Sequence, residues 1–92
     1  MIQLSQIVSA RPDLLATEID GELVMMDMDS GRYVNLDRIG TIIWRELAAP
    51  RTVADLCKYL GEHFEASSDE IERDVLSFLD EMEIANLLRM HG

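Results

Sequence analysis

Few side chains in this sequence are of a kind that does chemistry, and their spacing brings none of them together. The one cysteine, Cys57, falls on the apolar stripe of an amphipathic segment. A nucleophile needs a base and a group to orient that base, and neither stands at a matching position. His63 and His91 have no Cys, Asp or Glu at the spacing of a zinc site. Asp27, Asp29 and Ser30 resemble the start of a calcium loop. The glycine, however, comes one residue early, and Arg38 stands where the bidentate glutamate belongs. No Gly-rich loop of the phosphate-cradling kind is present. Carboxylates are plentiful on helix surfaces, where they read as solvated faces. The expectation is a protein with no catalytic residue, no metal and no cofactor.

Composition narrows the partners. The 92 residues include 18 acidic and 8 basic side chains, for a net charge of −10. Such a field repels phosphate backbones and attracts basic peptide or protein surfaces, so nucleic acid is excluded as a partner. A content of 48% hydrophobic and 28% charged residues belongs to a folded globular chain. A lone cysteine fits a reducing compartment. The start, "MIQLSQIVSARPD", lacks the basic and apolar regions of a signal peptide, and no segment approaches a membrane span. These features predict a cytoplasmic protein with no membrane partner, and residues 1–92 read as one domain.

The elements that position any site start with strands. "LLATEID" and "ELVMMDM" flank Asp20-Gly21, a pair suited to a two-residue hairpin turn. "ELVMMDM" and "RYVNL" flank Asp29-Ser30-Gly31, which suits a three-residue loop with Gly31 left-handed. With Ile19 opposite Glu22 and Met28 opposite Arg32, alternation gathers Leu15, Thr17, Ile19, Val24, Met26, Val34 and Leu36 on one face. That face is nearly all apolar and is the expected core face. The other face is mixed, and Ile2, Leu4, Ile7 and Val8 are available to cover it.

Helical periodicity takes over after Asp37, which can cap a helix carrying Ile39, Ile42, Ile43 and Leu47 and ending before Pro50. Trp44 borders its stripe. Thr52 caps a second helix with Val53, Leu56, Cys57, Leu60 and Phe64 inward. Ser67 and Glu70 open a third, whose stripe is Ile71, Val75, Phe78, Leu79 and Met82. Leu76 lies outside that stripe, beyond Leu79. Asn86 is placed to stop the third helix, and "LLRMH" reads as a tail or short strand. The expected fold is α+β: a three-stranded antiparallel sheet followed by three helices, all on one sheet face because the connections are short. "RYVNL" comes last in the meander and is therefore an edge.

Three stretches in this order, "SGRYVNLDRIGTIIWREL", "RTVADLCKYL" and "DVLSFLDEM", resemble the PqqD-like family of precursor-peptide recognition elements. The resemblance covers residues 22–88. A G-x-Y-x-x-L strand matches Gly31, Tyr33 and Leu36; the next helix carries Gly40 and Trp44. Thr52, Val53 and Leu56 match the second helix start, and Asp74, Val75, Phe78, Leu79 and Met82 match the third helix. Two departures stand out. Asn86 replaces the common Gly, and the proline-containing loop of the pyrroloquinoline quinone branch is missing before the first helix. The sequence is more similar to the free-standing leader-binding proteins of lasso-peptide pathways.

The resemblance implies a winged-helix-like fold without catalysis. It implies binding of the leader segment of a ribosomally made precursor peptide, added as a strand at Arg32, Tyr33, Val34, Asn35 and Leu36. The leader would pack against Val75, Leu76, Phe78, Leu79 and Met82 and be delivered to tailoring enzymes, a leader peptidase and a cyclase. Edge pairing supplies main-chain hydrogen bonds, and alternate side chains enter pockets. Two alternatives come from the same residues. One is a pyrroloquinoline quinone-type peptide chaperone for a radical enzyme. The other is a winged-helix regulatory protein, which the acidic charge and the strands-before-helices order oppose.

Overall fold

The computed structural model describes residues 2–91. Along the described chain run β1 (Ile7–Ala10), β2 (Leu15–Ile19), β3 (Glu22–Asp27), β4 (Arg32–Leu36), α1 (Arg38–Glu46), β5 (Arg51–Thr52), α2 (Val53–His63), α3 (Ser68–Ile84) and β6 (Leu88–His91). They form two antiparallel sheets, β2-β3-β4 and β5-β1-β6, with three helices. The expected meander and helices are present. The second sheet was not legible in the sequence.

The β2–β3 turn behaves as its residues dictate. Asp20 and Gly21 take φ of 53° and 81°, the paired positive angles of a type I′ turn, and Ile19 faces Glu22. The next turn is one residue longer than expected. Asp27, not Met28, pairs with Arg32, so Met28 joins the loop, and Gly31 (φ 70°) donates its N–H to the Asp27 carbonyl at 2.8 Å. A one-residue slip turns a strand over. Val34 and Leu36 therefore share a face with Leu23 and Met25 rather than with Val24 and Met26. The core face is Leu23, Met25, Val34 and Leu36. The expected core residues Leu15, Thr17, Ile19, Val24 and Met26 point outward, and Leu15 and Ile19 are each 59% exposed.

The N-terminal segment does not lie over a sheet face as expected. β1 is the central strand of the second sheet, pairing with β5 through Ile7 and Thr52 and with β6 through Ile7–Ala10 and Leu88–His91. Ile2 and Val8 enter the core, while Ile7 stays 38% exposed. Just before β1, the Gln6 and Leu4 carbonyls accept from Val53 and Ala54 N–H, satisfying two donors that the start of α2 cannot use internally. The second sheet also divides the helices. α1 packs on β3 and β4, whereas α2 meets β5 and α3 meets β6, so the helices do not all cover one sheet face.

Helix boundaries follow local chemistry. Asp37, Thr52 and Ser67 accept from the N–H of Gly40, Asp55 and Glu70, respectively. α3 ends in a Schellman motif: Asn86 is left-handed at φ 61°, its N–H reaches the Glu83 carbonyl, and Leu87 N–H reaches Met82. The core stripes hold for Ile43, Leu47, Val53, Leu56, Leu60, Ile71, Val75, Leu79 and Met82, all buried. Ile39 departs from its stripe and is 54% exposed. Trp44 packs partly buried against the core, as its border position implies.

One buried hydroxyl joins the meander to α1. Thr41, 1% exposed, accepts from Leu23 N–H at 2.9 Å and donates to the Leu36 carbonyl at 3.3 Å. It thus bridges the open end of the β3–β4 ladder. Thr41→Val keeps the shape and removes both bonds, leaving a buried N–H unpaired. We expect a loss of about 1–3 kcal/mol in urea unfolding. Unchanged stability would show that the ladder closes without the hydroxyl.

A groove beside a free strand edge

β4 is the last strand of its sheet, and among the described residues nothing pairs with its outer side. Which backbone groups it presents follows from the ladder. The two-residue β2–β3 turn makes Ile19–Glu22 a hydrogen-bonded pair, so Glu22, Val24 and Met26 point their backbone groups at β2. Leu23, Met25 and Asp27 then turn theirs toward Leu36, Val34 and Arg32. The bridging Thr41 hydroxyl between Leu23 N–H and Leu36 C=O agrees with this phase. The outward donors and acceptors are therefore those of Tyr33 and Asn35.

Beside this edge runs a groove of about 380 Å³ between β4 and α3. Val34, Asn35 and Leu36 form one side; Phe78, Glu81, Met82 and Ala85 form the other. Of the residues expected there, the structure brings Val34, Asn35, Leu36, Phe78 and Met82 together around the groove. Arg32 and Tyr33 belong to the strand, with Tyr33 70% exposed and turned to the outward face beside Met26. Val75 lines an adjoining hollow with Phe78. Leu79 is fully buried, and Leu76 is partly buried against the core; neither lines the groove. The groove thus lies on the flank of α3 that carries Asp74 and Glu81. Glu81 and Ala85 were missed because they lie outside the apolar stripe, and their spacing from Phe78 and Met82 was the available signal.

Two contacts lie near the ends of the groove. At its Leu36 end, a Cβ on Gly40 would stand 3.1 Å from Phe78 Cε1 and 3.3 Å from Asp37 Oδ1, so glycine lets the start of α1 approach α3 closely. At its other end, Arg11 donates to the Asn86 carbonyl at 2.8 Å and lies 3.6 Å from the buried Asp27 carboxylate. A cation at the C-terminus of α3 is favoured by the exposed carbonyls there. Arg11 also hydrogen-bonds Asp13 and holds that carboxyl below its ordinary range. One guanidinium thereby ties β3 and the end of α3 to the segment after β1.

The residues that could do chemistry stay dispersed. Cys57 is half-buried, and burial, with the nearby Glu72 carboxylate, pushes its thiol up, away from the reactive thiolate. His63 stacks on Tyr59 with centroids 4.2 Å apart, and His91 meets the Ser9 hydroxyl at 2.7 Å. Among the described residues no three His, Cys, Asp or Glu side chains are placed to hold a metal ion. No described helix is long and apolar enough to cross a membrane.

Comparison with known proteins bears on the fold and the family. Two solved structures share the fold. One, described as TbiB1 in complex with the TbiA(beta) leader peptide, has a TM-score of 0.81 and 23% identity, covering 91% of this chain and 98% of the other. The second, described as lasso peptide synthetase B1 complexed with the leader peptide, has a TM-score of 0.77 and 22% identity, covering 89% and 96%. No curated protein matches the sequence. The family model described as coenzyme PQQ synthesis protein D (PqqD) matches residues 22–88, from the start of β3 to the start of β6, and the chain belongs to that family.

Proposed function

We propose that this protein is a non-catalytic adaptor in the cytoplasm. It binds the leader segment of a ribosomally synthesised precursor peptide and presents it to the leader peptidase and cyclase of a lasso-type pathway. The observation that carries this reading is the free β4 edge, with its Tyr33 and Asn35 backbone groups directed outward beside the Phe78–Met82 wall. A strand added there gains main-chain hydrogen bonds and buries alternate side chains in the groove. The two similar solved structures, each described with a leader peptide bound, support the choice of ligand.

The same reading gives a use to the outward sheet face. Leu15, Ile19, Val24, Met26 and Tyr33 lie there with one charged residue, Glu22. Its neighbour across the edge would be the bound leader, so an enzyme resting on this face meets adaptor and leader together. We assign it to the leader peptidase. A second copy is disfavoured because each chain carries −10 and would bring Glu22 against a like surface.

Calorimetry with the leader of the precursor from this protein's own pathway tests the main reading. Saturable one-to-one binding is expected, with the signals of Arg32–Leu36 shifting in labelled protein. No binding of that leader would overturn it.

A further inference from the structure

β2 is the opposite edge of the same sheet, and among the described residues nothing pairs with its outer side. The phase set by the Asp20-Gly21 turn points the backbone groups of Leu15, Thr17 and Ile19 at β3. Those of Ala16 and Glu18 therefore point away from the sheet. All five residues are exposed. Free edges are ordinarily blunted by lysine, proline, a bulge or extreme shortness, because an open row of donors and acceptors pairs with other chains. β2 has none of these, and its register with β3 runs unbroken from Leu15 to Ile19. β5, an edge of the second sheet, is by contrast two residues long.

The surroundings of this edge select what pairs with it. An added strand continues the outward face, so its alternate side chains fall beside Leu15, Thr17 and Ile19. Glu18 is already paired with Arg45. Asp20 and Glu22, at the turn, are in no ion pair among the described residues, and Arg38, which lies over Gly21, bonds to neither. No basic residue occurs from Leu15 to Asp27. A strand with a cation at the turn end is therefore complementary. A second copy would offer β2 itself, which has no cation, and the leader is held at the far edge.

We infer that the outer edge of β2 is a second strand-addition site. It takes an extended segment of the leader peptidase, apolar at alternate positions and carrying a Lys or Arg beside Asp20 and Glu22. This rests on the assignment of the outward face to the peptidase, and it adds the means by which that enzyme is held in register. Backbone pairing fixes the offset of the segment along β2, and the sheet carries that offset across to the leader on β4. The two added strands lie four strand spacings apart, roughly 19 Å, a distance that one enzyme resting on the face spans.

Amide exchange in labelled protein tests this directly. Adding the pathway's peptidase to the adaptor with its leader should slow exchange of the Ala16 and Glu18 N–H, whereas the leader alone protects Tyr33 and Asn35. Ala16→Pro removes the outward donor and leaves the β3 ladder intact, while Ala16→Ser keeps the donor. The proline variant should cut adaptor-dependent cleavage about tenfold with leader affinity unchanged, and the serine variant should match the unaltered protein. Unprotected Ala16 and Glu18 in the full complex, or full cleavage with Ala16→Pro, would overturn the site. So would protection by the leader alone, which gives the edge to a second leader, or a dimer that Ala16→Pro dissolves, which gives it to a second copy. Loss of cleavage in Leu15→Glu with Ile19→Glu but not in Ala16→Pro would leave the peptidase on the face without the edge. Full cleavage by all of these variants would instead remove the underlying assignment. Melting curves confirm that each variant is folded.

Discussion

Asn35→Pro should weaken leader binding by about 2–3 kcal/mol, roughly 30- to 150-fold in Kd, while Asn35→Ala stays near the unaltered protein. The contrast isolates the backbone. Proline removes the outward N–H and places its ring where an added strand would lie, which is how natural edges resist pairing. Because the Asn35 backbone points away from β3, the β3–β4 ladder keeps its bonds, and the protein remains folded by circular dichroism. Val34→Pro would be a poorer probe, since the Val34 N–H faces β3 opposite Met25. Similar losses in the alanine and proline variants would assign binding to the Asn35 side chain. No loss in either would remove strand addition.

What the sequence showed and what it hid divide along locality. Asp37, Thr52, Ser67 and Asn86 act within a few residues, and each end they mark is where the helix starts or stops. Asp20-Gly21 fixed its turn for the same reason. The β3–β4 loop did not, because Gly31 can be left-handed in a loop of either length and the pattern favoured the wrong one. Val24 and Met26 made the outward face look like the core, whereas the true core face includes Asp27, buried beside Arg11. The pairing of β1 with β6 joins residues from opposite ends of the chain. No turn announces such a pairing, and "LLRMH" alone cannot say what it pairs with. In the site, Phe78 and Met82 were legible as stripe residues. Glu81 and Ala85 were not, since a groove wall uses the border of a stripe.

The misread face leads to the second large effect. Folding leaves Leu15 and Ile19 each 59% exposed and Tyr33 70% exposed on one side of a sheet, a largely apolar surface on which Glu22 is the one charged residue and Thr17 and Asn35 are the other polar ones. Contiguous apolar faces of this kind mark interaction sites. If the leader peptidase rests here, Leu15→Glu with Ile19→Glu introduces two charges into the centre of its contact. The double variant should cut adaptor-dependent leader cleavage by about 2–4 kcal/mol in apparent kcat/KM, roughly 30-fold or more. Leader affinity should stay within about threefold, because the groove opens on the opposite side of β4 and an exposed rim charge shifts binding by at most ~1 kcal/mol. Melting should change little, since neither side chain is in the core. Sedimentation separates the other occupant: a dimer in the unaltered protein that the double variant dissolves would put a second copy on the face. Full cleavage by the variant with its leader affinity intact would move the peptidase off this face, to the helical side, where Arg51 lies over the Tyr59 ring.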